Sequence, residues 1–197
     1  MSAEAYRVAF DAALWADDGG WARAAMLAGR ATACVRAFMG HDDGADLPEA
    51  WLPTALRAAG ARVPDVAALR SGLILLSDPA RAALEARDPG RHRLWTVAVE
   101  DAAGRTRRRH GLIVGARGDA ILERDSPVRV EPPQPALGLP RRATLAEGRA
   151  PRIDPARRPE AALWWDHGLS VPYLLCDGAL AADWAGLDVP PLPRCGT

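Results

Sequence analysis

The sequence contains no lysine and no asparagine among its 197 residues, so all 25 basic residues are arginine. We attribute both absences to a bias towards GC-rich codons rather than to function. Arginine must therefore fill the surface and ion-pairing roles that lysine shares in other proteins. A count of arginines is consequently a weak indicator of nucleic-acid binding or of any other specific function.

Cysteines are few, and long apolar runs are missing. Cys34, Cys176 and Cys195 show no CxxC spacing, so we expect neither a disulfide framework nor a cysteine-rich zinc site. No run of roughly 18 apolar residues occurs, which predicts no transmembrane helix. The N-terminus carries Glu4 and Asp11 within its apolar pattern, unlike a signal peptide. These features favour a cytoplasmic protein with no membrane partner.

The charge is balanced overall but unevenly distributed. Apolar residues make up 49% of the chain, which is enough for the core of one domain of ordinary size. The formal net charge is −3 over residues 1–104, +7 over 105–158 and −4 over 159–197. Because the whole chain is not basic, we expect no nucleic-acid partner. The asymmetry is compatible with internal ion pairing or with recognition by another protein.

The spacing of apolar residues predicts helices in the N-terminal part and strands in the middle. Helices are predicted over residues 3–16, 21–39, 48–60, 65–71, 79–87, 160–168 and 179–186. Strands are predicted over residues 72–77, 92–100, 105–115, 120–125, 128–131 and 169–176. The four strands between residues 92 and 131 are expected to form an antiparallel meander, because turn residues separate them.

These elements predict an α+β fold in which an N-terminal helical layer packs on a central antiparallel β-meander. We divide the chain into a main α+β domain at residues 1–131, a Pro/Arg-rich extended connection at 132–159 and a C-terminal segment at 160–197. The connection is expected to lie across the surface. The C-terminal segment is expected to be a small α/β unit that packs on the main domain.

A basic run, GRTRRRHGLIVG at residues 104–115, raises the main functional question. If the hairpin loop before it is even-numbered, Arg108 and His110 lie on the apolar face beside Trp95; an odd-numbered loop breaks this pairing. Arg108 must then reach water at the hairpin tip, pair with an acid from the helical layer, or hold a ligand anion against Trp95. In the last arrangement Arg108 and His110 are the candidate catalytic residues.

The other arginines of this run, Arg105, Arg107 and Arg109, are expected on the polar face, near Glu100. In a protein without lysine, a solvated strand face is the ordinary explanation for such residues. Arg107 and Arg109 are also candidates for contacts with a ligand or partner, as is Trp95.

The sequence WWDHG at residues 164–168 places two tryptophans beside an acid and a histidine. Trp164, Trp165 and His167 are candidate partner-binding residues, because aromatic side chains are enriched in protein interfaces. Packing in the core is the alternative for the two indoles. Asp166 and His167 are adjacent, so they cannot form a simple catalytic dyad.

Two further groups have ordinary explanations. His41, Asp42 and Asp43 could contribute to a cation site, but they lack further ligands at defined spacing, so we expect a solvated acidic loop. Cys176 precedes a turn, where nucleophiles occur, but a small buried thiol is the favoured interpretation. The sequence has no GxGxxG, Walker, GxSxG or HExxH pattern. We therefore predict neither a cofactor nor a bound metal.

The segregated charge and the Pro-rich segments at 132–159 and 189–193 favour a soluble, bacterial-type accessory or partner-binding protein. Such an assembly subunit or adaptor would bind a protein partner through its Pro-rich and Trp-containing C-terminal region. The alternative is a small-molecule enzyme, of the lyase or hydrolase type. This enzyme would bind a small anionic substrate at Arg108 and His110.

Overall fold

In the computed structural model, the described residues are 4–8, 29–58, 62–69, 71–133, 141–146 and 149–197. They form eleven strands: β1 (Ala5–Arg7), β2 (Ala55–Arg57), β3 (Val66–Ala68), β4 (Ile74–Leu76), β5 (Arg93–Glu100), β6 (Thr106–Ile113), β7 (Arg117–Gly118), β8 (Val128–Glu131), β9 (Arg142–Leu145), β10 (Leu163–Asp166) and β11 (Tyr173–Asp177). They also form three α-helices: α1 (Ala31–Phe38), α2 (Asp78–Arg87) and α3 (Gly178–Trp184). Short 3₁₀ turns lie at Glu49–Trp51, Glu123–Asp125 and Pro155–Arg157.

The strands form three sheets. The four-stranded sheet has the order β1-β11-β10-β7, and its strands are antiparallel except for the parallel pair β10 and β7. The five-stranded sheet has the order β2-β5-β6-β4-β3, and only its β2 and β5 are parallel. The third sheet is the antiparallel pair β8 and β9.

A shared core lies between the two larger sheets and includes α2 and α3. It combines Ile74 and Leu112 of the five-stranded sheet with Leu163 and Leu174 of the four-stranded sheet. A second cluster covers the other face of the five-stranded sheet, against α1. A third cluster covers the outer face of the four-stranded sheet, against β9. Each large sheet is therefore buried on both faces, which requires apolar residues on both sides of its strands.

The predicted α+β fold with an N-terminal helical layer is wrong. The described residues are mostly β-structure, with eleven strands in three sheets and three short helices. Within the predicted helix 3–16, residues Ala5–Arg7 form β1, which pairs with β11. Residues 9–28, which contain about half of the two predicted N-terminal helices, lie outside the described residues. The described end of the predicted helix 21–39 is helical, as α1.

Three predicted helices are strands instead. Residues 48–60 contain β2, in which buried Leu56 alternates with exposed neighbours, and residues 65–71 contain β3. Residues 160–168 contain β10, all four residues of which are buried. A strand buried on both faces reads as a continuous apolar run, and periodicity cannot distinguish such a run from a short buried helix.

The hairpin of β5 and β6 is confirmed, but its predicted register is wrong. Five residues, 101–105, separate the paired residues Glu100 and Thr106, so the loop is odd-numbered. The Asp101 carboxylate holds this loop by accepting hydrogen bonds from the backbone N–H groups of Ala103 and Arg105. As a result Trp95 shares a face with the odd-numbered residues of β6 rather than with Arg108 and His110.

The predicted meander ends after this hairpin. The second neighbour of β6 is β4, and β8 pairs with β9 from the segment predicted as an extended connection. The predicted strand 120–125 contains an isolated bridge, Ile121 to Ile153, followed by the 3₁₀ turn Glu123–Asp125. Residues 134–140 and 147–148 of the connection lie outside the described residues.

Local signals located the remaining elements correctly. Helix α2 follows Ser77, whose Oγ accepts a hydrogen bond from the Ala80 N–H at 3.4 Å, and Pro79 occupies its first turn. Helix α3 follows Asp177, whose carboxylate accepts from the Leu180 N–H at 2.7 Å. The predicted strands 72–77 and 169–176 contain β4 and β11. In the described part of the chain, no helix has both the length and the apolar character needed to cross a membrane.

Candidate functional site

His110 is buried, with 3% of its surface exposed, and both of its ring nitrogens have partners. Nε2 lies 2.6 Å from Asp78 Oδ1, and Nδ1 lies 3.4 Å from Arg81 Nη1. A guanidinium can only donate, so Nδ1 accepts from Arg81 and the Nε2–H group donates to Asp78. The imidazole thus connects β6 to the first turn of α2, and its accepting nitrogen is occupied.

Arg108 pairs with an acid from the neighbouring helix, which is the second of the three arrangements considered for it. Its Nη2 donates to Asp78 Oδ2 at 2.9 Å, while 64% of its side chain remains exposed. The hydrogen bonds from His110 and then from Arg108 lower the pKa of Asp78 to about 2. Catalysis at Arg108 and His110 stays a prediction. In this geometry Arg108 and His110 both form hydrogen bonds with Asp78.

Trp95 lies on the opposite face of the five-stranded sheet from His110. Its Nε1 donates to the Pro53 carbonyl at 2.8 Å, and its ring stacks near Phe38 with centroids 6.2 Å apart. The indole also covers Gly111, where a Cβ atom would overlap the ring. The structure therefore does not bring Trp95 together with Arg108 and His110.

Arg107 and Arg109 share the face of Trp95. Arg107 lies 3.8 Å from the Asp101 carboxylate. Arg109 Nη2 donates to the Val63 carbonyl at 2.8 Å, and burial lowers the pKa of Arg109. Both side chains hold neighbouring chain segments; contact with a ligand or partner stays a prediction for them.

Trp164 and Asp166 are completely buried in β10. Asp166 Oδ2 accepts from the Ala120 N–H at 2.8 Å and from Trp164 Nε1 at 3.3 Å. Its Oδ1 accepts from the N–H groups of Ile121 at 3.2 Å and Gly168 at 3.0 Å. Four donors compensate the buried carboxylate, so this pair contributes to the core and cannot be reached from the surface.

His167 connects β10 to the end of α1. Its Nε2 lies 3.0 Å from the Gly40 carbonyl, and its ring lies 5.6 Å from that of His41. Burial lowers the pKa of His167. Gly40 has φ of +73° and packs so closely on Trp165 that a Cβ atom would overlap the indole. These contacts seat the end of α1 on Trp165.

Neither the acidic loop at residues 41–43 nor Cys176 has the geometry of a reactive site. Asp42 pairs with Arg36 at 3.4 Å, and Asp43 accepts from the Ala45 N–H at 3.0 Å. Within the described ranges, no group of three or more potential ligands could hold a metal ion. Burial raises the pKa of the Cys176 thiol, which disfavours the nucleophilic thiolate.

A cavity of about 240 Å³ lies between the four-stranded sheet and the β3–β4 side of the five-stranded sheet. Among the described residues, its lining is largely apolar and comes from five separate segments: Arg7 and Val8; Met39; Ala68, Leu69 and Gly72; Trp165; and Pro172, Tyr173 and Leu174. Sequence reasoning singled out only Trp165 among these residues. The others carry no motif, and the tertiary structure alone brings them together.

Trp165, one of the lining residues, has a buried polar atom without a partner among the described residues. The side chain is 5% exposed, and its Nε1 has no hydrogen-bond partner in the described part of the chain. Leaving a buried donor unpaired costs roughly 1–3 kcal/mol, and most buried polar groups are paired.

Comparison with protein-family models and with curated proteins finds no match to this chain. Its function is accordingly inferred from the geometry of the cavity and of the surrounding side chains.

Proposed function

We propose that the protein binds small, largely apolar molecules in the cavity between its two large sheets. The supporting observation is a largely apolar cavity lined in part by Trp165, whose buried indole N–H has no partner among the described residues. A ligand acceptor at this group would remove the cost of the unpaired donor. This proposal differs from the role expected from the sequence, which is binding of a protein partner through the Pro-rich and Trp-containing C-terminal region.

The cavity volume limits the size of the ligand. It is about 240 Å³, below the ~300–1,000 Å³ of sites for drug-sized molecules and above the ~150 Å³ of an apolar cavity that holds benzene. The ligand is therefore of the size of one aromatic ring or a short branched chain, with at least one hydrogen-bond acceptor. For such a small molecule we expect a dissociation constant on the order of 0.01–1 mM.

Thermal denaturation with acetophenone and ethylbenzene tests this proposal, because the two differ chiefly in a carbonyl acceptor. At about ten times its dissociation constant, acetophenone should raise Tm by roughly 3–6 °C, since such binding adds about 1.4 kcal/mol. Trp165→Phe should weaken acetophenone binding about fivefold or more, because it removes the N–H donor. It should change ethylbenzene binding by less than about twofold.

A pair of matched substitutions shows whether binding occurs in the cavity. Ala68→Leu adds three carbon atoms at a lining position of β3, and should abolish the Tm increase. Ala98→Leu makes the same change at an exposed position of β5, and should leave the increase intact. The proposal fails if neither ligand binds, or if Ala68→Leu binds both as well as the unsubstituted protein does.

A further inference from the structure

We infer that two copies of this chain associate through strand β8, so that each copy adds an antiparallel strand to the β8–β9 sheet of the other. Among the described residues, β8 pairs with β9 alone, and its second edge is free. An unpaired strand edge presents backbone donors and acceptors to another strand. No residue of β8 lines the cavity, so this association is independent of the proposed function.

The backbone groups of Val130 face the free edge. Val130 lies opposite Ala143 in the ladder. The N–H of Ala143 points away from β8, since it donates to Ser170 Oγ at 2.8 Å, and the Ala143 carbonyl accepts from the Ser170 N–H at 3.2 Å. Directly opposed residues of an antiparallel pair turn their backbone groups either towards each other or both outward. The N–H and C=O of Val130 therefore point away from β9.

The side chains of β8 make this edge self-complementary. Val130 lies on one face and is 46% exposed, whereas Arg129 and Glu131 share the other face and are 77% and 47% exposed. If two β8 strands pair antiparallel about Val130, Arg129 of each copy lies opposite Glu131 of the other. Two-fold symmetry forms this ion pair twice, and the two Val130 residues exchange both of their backbone hydrogen bonds.

The charges select this register over its neighbours. A shift of one strand by two residues places Arg129 opposite Arg129 of the second copy, or Glu131 opposite Glu131, which is unfavourable. Pro132 follows the strand and has no N–H, so it ends the pairing. The interface is thus smaller than the ~1,200 Å² of stable complexes. We expect a dissociation constant on the order of 0.1–1 mM.

Sedimentation equilibrium of the full chain between about 0.02 and 1 mM tests this association, because the range spans the expected dissociation constant. The average mass of the unsubstituted protein should rise from that of a monomer towards that of a dimer. Arg129→Glu and Glu131→Arg should each weaken association at least about tenfold, since either change converts both ion pairs into like-charge pairs. A protein that stays monomeric at about 1 mM, or a dimer that neither change weakens, overturns the inference.

An equimolar mixture of Arg129→Glu and Glu131→Arg separates pairing at β8 from a general loss of structure. In the mixture, the acids of one strand lie opposite the arginines of the other, so association should recover to at least that of the unsubstituted protein. As a matched control, Arg36→Glu and Asp42→Arg reverse the charges of another exposed pair and should each leave association unchanged. Failure of the mixture to associate would contradict the inference.

Nuclear magnetic resonance of the unsubstituted protein locates the interface even if the variants do not fold. The amide resonance of Val130 should shift on dilution from about 1 to 0.02 mM, as its hydrogen bond to the second copy is lost. The amide of Ala68, in the edge strand β3 of the five-stranded sheet, should not shift. A concentration dependence at Ala68 and not at Val130 would show that the copies meet at a different edge.

Discussion

Two buried aspartates, Asp88 and Asp166, bind backbone N–H groups from distant segments. Asp88 Oδ2 accepts from the N–H groups of Ala162 at 2.8 Å and Leu163 at 3.2 Å, and so links the end of α2 to the start of β10. Asp166 makes the comparable connection between β10 and residues 120–121. These carboxylates replace ladder hydrogen bonds where the strands end, which explains how acids can occupy a core.

Asp166→Asn should strongly destabilise the fold. The amide has one accepting oxygen for four surrounding donors, and its NH₂ group would face backbone N–H groups. We expect a loss of about 2–4 kcal/mol in the free energy of unfolding, measured by urea denaturation. Asp119→Asn, which alters a largely exposed ion pair with Arg157, should cost less than about 1 kcal/mol. Equal costs for the two variants would contradict the assignment.

The stability of the protein should fall as the pH decreases below about 6.5. His92 accepts from the Gly115 N–H through Nδ1 and donates to Asp88 through Nε2, and burial lowers its pKa. Burial also lowers the pKa of His167. At a pH between the folded-state and unfolded-state pKa values of these histidines, only the unfolded chain takes up the protons. Their contribution to stability is therefore fully present above about pH 6.5 and is lost as the pH falls below it.

Urea denaturation between pH 7.5 and pH 5 measures this dependence. Each histidine contributes a slope of up to about 1.4 kcal/mol per pH unit. His92→Gln removes one titrating group and should reduce the slope. A slope that is unaffected by His92→Gln would show that His92 does not titrate as inferred.

At the level of secondary-structure elements, local sequence patterns predict the two strands of the β5–β6 hairpin but not which side chains share a face. Alternation and turn residues predict both strands correctly, but the faces depend on whether the loop has an odd or even number of residues. The loop is odd because Asp101 organises residues 101–105 through its own hydrogen bonds. A shift of one residue exchanges the two faces, so Arg108 and His110 lie opposite Trp95.

Gly111→Ala should destabilise this hairpin because a Cβ atom would overlap the Trp95 indole. Movement of the ring would disturb its contact with Phe38 and its hydrogen bond to Pro53. We expect a loss of about 1–3 kcal/mol in urea denaturation. Gly186→Ala, where a Cβ atom meets nothing within 4 Å, should change stability by less than about 0.5 kcal/mol. If both variants match the unsubstituted protein, the packing on Gly111 is not tight.

On the scale of the whole molecule, the two large sheets share one core. Leu112 and Leu163 from the two sheets belong to the same cluster, and Trp184 of α3 donates its indole N–H to the Ala80 carbonyl of α2 at 3.2 Å. The four-stranded sheet combines β1 with β10 and β11, so both ends of the chain complete one sheet. Such mutual burial favours cooperative unfolding.

We expect the sheets to unfold in a single transition in differential scanning calorimetry, with equal calorimetric and van't Hoff enthalpies. Leu112→Ala and Leu163→Ala should each lower the one Tm, at a cost of about 2–5 kcal/mol. Val35→Ala, at an exposed position of α1, should leave Tm nearly unchanged. Two separate transitions, each sensitive to only one of the leucine substitutions, would refute a shared core.

The sequence alone specified the features that depend on a few neighbouring residues. These are helices α2 and α3 and the strands of the β5–β6 hairpin. Caps, turns and alternation act within one turn of helix or one pair of residues, so they can be read directly.

Contacts between distant segments determined the rest. Residues 48–60, 65–71 and 160–168 contain strands because partners such as β5, β4 and β11 complete their hydrogen bonds, and short apolar runs carry no strong preference of their own. The cavity arises in the same way, since Ala68 of β3 and Trp165 of β10 belong to different sheets and come together only when the two sheets pack. Long-range pairing depends on the whole chain, which is why a local pattern did not reveal the site.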